Sequence, residues 1–66
     1  MKQIKKFIKL HLVKQNQPII INTEMINDVY QDVSEKRTEI TFINENTNVY
    51  VLEKVDKIYD MLYSEE

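Results

Sequence analysis

Few side chains in this sequence could do chemistry, and their spacing says how little they can do alone. His11 is the one histidine, and imidazole is the side chain that ordinarily titrates near neutral pH. It has no cysteine or serine partner to activate and no second histidine with which to share a metal. It therefore reads as an exposed bystander on the outward face of a strand, with a pH-sensitive interface contact as its remaining use. The carboxylates are many but scattered. Glu24, Asp28 and Asp32 recur at a spacing of four, which aligns them on a helix. On a strand, only Asp28 and Asp32 share a face, with Tyr30 between them. A catalytic carboxylate pair must be held about 5–10 Å apart in a pocket, and so short a chain has little room to enclose one. The expectation is a protein that is not an enzyme. No metal and no cofactor is expected either. Phosphate-cradling loops depend on glycine, which is absent. A small ligand held between subunits stays open.

Two other groups of residues suit binding. Lys2, Lys5, Lys6 and Lys9 surround Phe7 as a loose basic segment. The first fourteen residues carry five lysines and no acid, whereas the remainder carries the other four bases and all eleven acids. Such asymmetry marks nucleic-acid or membrane contacts in some proteins. The simpler reading sets the basic first strand against the acidic remainder, within one fold or between subunits. Arginine, the commoner base reader, occurs once, at Arg37. The lysines alone support weak, salt-sensitive phosphate binding, so sequence-specific nucleic-acid recognition is not expected. Tyrosine joins an apolar ring to a polar tip and suits half-buried interfaces. Tyr30, Tyr50 and Tyr63 are the interface candidates, while Tyr59 is assigned to the core.

The elements that must position these residues are mostly strands. Ile8, Leu10 and Leu12 alternate with Lys9 and His11, the period-2 pattern of a strand with one wet face. Lys14–Gln17 forms a corner in which Asn16 takes the left-handed conformation that glycine would otherwise supply. Pro18 opens a second strand, where its missing N–H does little harm. The continuous run Ile19–Ile21 predicts burial on both faces. Asn22-Thr23-Glu24 turns the chain through Asx- and ST-type bonds. A third strand is expected over 26–34, a charged tip over 34–37, a fourth strand over 38–44 and a fifth over 49–52. Val55, Ile58, Tyr59 and Leu62 then fall at i, i+3, i+4 and i+7, a helical stripe within 53–63. That helix lacks a capping residue, and Glu53 is expected to support its first turn through the helix dipole. The reading is α+β: one domain over 1–66, a small antiparallel β-meander of four to five strands with a single C-terminal helix, preceded by a basic extension over 1–6.

Sixty-six residues make a marginal domain. A chain of this size buries only about 60% of its unfolded surface. Without cysteine there is no disulfide, and one histidine cannot build a structural zinc site. Homo-oligomerisation is the remaining route to stability. The basic start resembles a signal peptide, but Lys9, His11 and Lys14 break its apolar segment and no small-residue cleavage site follows. No run approaches the roughly 20 apolar residues of a membrane span. A cytoplasmic protein without membrane insertion is expected.

The order KLHLVKQNQPIIINTEMI, then a hairpin, then VYVLEKVDKIYDML resembles the flagellar FlbD-like (SwrD/YlzI) family of small Gram-positive bacterial proteins. The matching positions are Leu12, Asn16, Ile19 to Asn22, Ile26, Val51, Glu53, Val55 and Ile58, and the resemblance spans about residues 8–62. The family usually has Gly where Asn16-Gln17 stands here and often another near Asn46-Thr47-Asn48. Pro commonly stands where this chain has Thr23, and a helix-capping Ser is replaced in Leu52-Glu53-Lys54-Val55. The departures point to a distant relative of the kind carried on a phage or mobile element. The resemblance implies a non-enzymatic accessory protein linked to swarming and flagellar motor output. Two alternatives accompany it: a phage-type protein holding a small ligand or host protein at an oligomer interface, and a weak nucleic-acid binder using the N-terminal lysines.

Overall fold

The alternation of Ile8 and Leu10 with Phe7, Lys9 and His11 produces β1 (Phe7–His11), which pairs antiparallel with β2 (Pro18–Asn22). The computed structural model describes residues 4–63, so Lys2 and Ser64–Glu66 lie outside the described residues. Ile8 and Leu10 face inward opposite Ile21 and Ile19. The corner is a 3₁₀ turn over Lys14–Asn16 in which both Gln15 (φ 61) and Asn16 (φ 52) are left-handed. Asn16 does what was expected of it, and Gln15 does so too. Ile19–Ile21 departs from the expectation of two buried faces. Ile21 is buried, but Ile20 is 64% exposed beside Lys9. A two-stranded hairpin packs one face on the core and has no layer to cover the other.

Asn22 Oδ1 accepts the Glu24 N–H at 3.0 Å, the expected Asx bond, which opens a 3₁₀ turn over Thr23–Met25. The Thr23 hydroxyl donates to the Lys5 and Lys6 carbonyls at 2.5 and 3.1 Å. The turn therefore clamps the chain that leads into β1. Next come β3 (Ile26–Asp32), β4 (Arg37–Phe42) and β5 (Asn48–Val51), an antiparallel meander in the order β3-β4-β5. The register shifts between Ile26 and Asp28, placing a bulge at Asn27. Asp32 holds the following tip, accepting from the Ser34 hydroxyl at 2.8 Å and the Glu35 N–H at 3.2 Å. Lys36 and Asn44 carry the positive φ needed by the two meander turns.

The expected α+β class holds: five antiparallel strands and one C-terminal helix, with the strands divided between two sheets. The sheets meet where β1 ends. Leu12 bridges Val51, the Val13 N–H donates to the Tyr50 carbonyl at 3.0 Å, and the Leu52 N–H donates to the His11 carbonyl at 2.9 Å. One core lies between them, formed by Ile8, Leu10, Ile21, Ile40, Val51 and Ile58.

The helix α1 runs Val55–Leu62. It buries Ile58, with Met61 and Leu62 packed partly against the core. Tyr59, assigned to the core from its spacing, is instead 60% exposed and stacks on Tyr63 with ring centroids 4.7 Å apart. The buried arc is centred on Ile58; at about 100° per residue Met61 lies about 60° to one side of it and Tyr59 about 100° to the other, so Met61 turns inward and Tyr59 outward. Glu53 stands before the helix, and Asp56 is the acid in its first turn. The start is capped from another element: the Val55 N–H donates to Gln31 Oε1 of β3 at 3.3 Å.

Candidate functional site

Tyr30 and Tyr50 lie 20 positions apart in sequence, yet the meander brings them onto one face. Tyr30 of β3 stands opposite Glu39 of β4, which stands opposite Tyr50 of β5. Alternation puts Asp28, Asp32, Arg37, Thr41 and Asn48 on the same outward surface, while Ile40 and Val51 point to the core. The row is polar at its centre. Glu39 hydrogen-bonds the Tyr30 hydroxyl and accepts from Asn48 Nδ2. The bond to Glu39, then desolvation and the nearby negative charge, raise the Tyr30 phenol above 10.0. The Arg37 guanidinium lies 3.9 Å from the centre of the Tyr50 ring, a close cation–π contact. Its Nε is 3.6 Å from Asp32 Oδ2. These partners hold the two rings in place, so little side-chain entropy remains to be lost when a second surface meets them. Tyr63 is not part of this face; it ends α1 against Tyr59. Arg37 and Glu39 were missed as site residues. The tip at 34–37 would have revealed them, because a hairpin tip fixes the register that sets Tyr30 opposite Glu39.

His11 is not a bystander. Its backbone N–H donates to Glu53 Oε1 at 3.0 Å, and its ring Nδ1 donates to Glu53 Oε2 at 2.7 Å. An ionised carboxylate only accepts, so Nδ1 carries the hydrogen in this bond. The Glu53 side chain is 11% exposed. Burial pushes its carboxyl up, but the His11 side-chain and backbone hydrogen bonds outweigh that, leaving it below the ordinary 4.5. The two residues are 42 positions apart, and no local pattern could have joined them. They border an open groove of about 740 Å³ that also takes in Asn16, Lys54, Asp56 and Lys57. A carboxylate–imidazole pair can orient a general base, but this groove lines it with no serine, threonine or cysteine nucleophile. What the pair does in the fold is fasten the end of β1 to the segment between β5 and α1.

Of the basic segment, Lys5, Lys6 and Lys9 are exposed at the surface. Lys6 Nζ lies 5.8 Å from the Phe7 ring centre. Lys5 and Lys9 border a groove of about 460 Å³ with Phe7, Lys57, Asp60 and Met61. Asp28 and Asp32 do share a face, as a strand requires, with Asp32 committed to the tip beside it. Among the described residues no group of three or more His, Asp or Glu side chains is placed to hold a metal ion. No helix of the described residues is long and apolar enough to cross a membrane. Comparison with known proteins adds no relative: no family model, no curated protein and no solved structure matches the chain.

Proposed function

We propose that this chain is a non-enzymatic accessory protein of the flagellar FlbD-like kind, working in the cytoplasm by protein–protein binding as a homo-oligomer. The observation that carries the binding role is the Tyr30–Glu39–Tyr50 row, two fixed aromatic rings flanking a carboxylate on an outward sheet face. Tyrosine and arginine are the side chains that most often dominate interface energy, and here Arg37 already rests on Tyr50. The face suits a second copy of the chain. Arg37 and Glu39 are two positions apart on β4 and point the same way. A two-fold axis near Thr38 therefore sets each Arg37 toward the other copy's Glu39, the self-complementarity an isologous interface needs. The need for a partner comes from size, since 66 residues without a disulfide have little core of their own.

Light scattering coupled to gel filtration tests this. The expected mass at micromolar concentration is a multiple of the 8.0 kDa chain. The Tyr30→Ala, Tyr50→Ala double variant leaves the core intact and is expected to run as a folded monomer, each truncation costing about 2 kcal/mol of association. A stably folded wild-type monomer at the same concentration overturns the proposal.

A further inference from the structure

The β1–β2 hairpin, on the other sheet, carries a second surface. No acid occurs before Glu24, so the hairpin and its lead-in carry lysines alone as charged residues. Its outer face presents Phe7, Lys9 and His11 from β1 beside Pro18, Ile20 and Asn22 from β2. Phe7 is 54% exposed and Ile20 64%, set diagonally across the strand pair with Lys9 directly opposite Ile20. Ile4 is exposed just before them, and Lys5 and Lys6 stand between Ile4 and Phe7 in the chain. Residues 24–63 carry nine acids against four bases. The chain is therefore electrically lopsided, and its lysine-bearing hairpin and lead-in also expose the apolar Ile4, Phe7 and Ile20.

We propose that this hairpin face docks on an anionic phospholipid surface, its lysines among the headgroups and Phe7 and Ile20 at the boundary with the acyl chains. Apolar wedges ringed by lysine are how peripheral proteins hold a bilayer interface. The acidic remainder is repelled by the same surface, which orients the hairpin toward it. Lipid fits these residues better than nucleic acid does. Exposed Ile20 and Ile4 gain from hydrocarbon but cannot stack on bases, and single-strand binders rely on successive aromatic platforms. The cations are all lysine, with none of the arginine that reads bases or stacks on them. Asp60 of α1 lines the same groove as Lys5, Phe7 and Lys9, and Glu53 is bonded to His11, so two acids border this face.

Co-sedimentation with vesicles tests the proposal. The chain is expected to pellet with vesicles of equal phosphatidylglycerol and phosphatidylcholine at low salt, and to stay in solution with phosphatidylcholine alone. Each lysine near an anionic surface contributes about fivefold in partition, so Lys6→Glu with Lys9→Glu is expected to lower binding at least about 25-fold. The chain has no tryptophan, so Ile20→Trp gives a clean probe: its emission should shift to the blue on the anionic vesicles. Val33→Trp, at the exposed tip between β3 and β4, should not shift. Both sites are exposed, and circular dichroism checks that the variants fold. Equal partition onto both vesicle types, an unshifted Ile20→Trp spectrum, or tighter binding to a single-stranded oligonucleotide than to the anionic vesicles each overturns it. None of these outcomes depends on the tyrosine face or on oligomerisation.

Discussion

Thr38 is the one buried polar side chain among the described residues, and it is fully buried. Its hydroxyl donates to the Glu53 carbonyl at 2.6 Å, tying β4 to the link before α1. Thr38→Val keeps the shape but leaves that carbonyl unpaired. It is expected to cost about 1–3 kcal/mol, measured as a lower urea midpoint with an unchanged slope. Glu53 itself predicts a pH dependence. Its carboxyl is depressed in the fold, so it contributes stability above its unfolded value of 4.5, which is lost as pH falls through the lower folded value. Glu53→Gln should flatten that acid limb while altering stability at neutral pH; an unchanged limb would exclude the His11–Glu53 pair as its source. The type of each residue was readable in sequence, including His11 as the one histidine. Its partner was not, because a contact across 42 positions leaves no periodic trace.

At the scale of elements, the strands follow from alternation and the turns from residues that tolerate a left-handed backbone. Four non-glycine residues among those described adopt positive φ: Gln15, Asn16, Lys36 and Asn44. The two asparagines suit this conformation, but Lys36 does not. Lys36→Gly is therefore expected to stabilise the β3–β4 tip by about 0.5–1 kcal/mol, read as a higher melting temperature. The helix shows the opposite dependence, on a distant element. Gln31 of β3 accepts the Val55 N–H, so Gln31→Ala should fray α1 and cost about 1 kcal/mol, as loss of a cap does, with reduced helical dichroism. The 3.6-residue stripe located the helix, but it could not separate Tyr59 from Met61. Both lie near the edge of the stripe, and the sheet's shape determines which edge is covered.

For the whole molecule, size and charge set the terms. If the tyrosine face joins copies of this chain, its melting temperature should rise with protein concentration, since anything that binds only the folded state stabilises it by mass action. A melting temperature constant over a hundredfold dilution contradicts that. The sequence by itself determined the α+β class, the β1–β2 hairpin, the placement of most turns and the segregation of charge, because alternation, turn chemistry and composition are local properties. The tertiary structure alone decided that the strands form two sheets joined at Leu12 and Val51, that Ile20 and Tyr59 face outward, that Glu53 takes His11 and that Tyr30 and Tyr50 flank Glu39. Each of these depends on which distant backbone lies alongside. That is settled when the apolar faces of both sheets and α1 are buried together, and no window of neighbouring residues contains it.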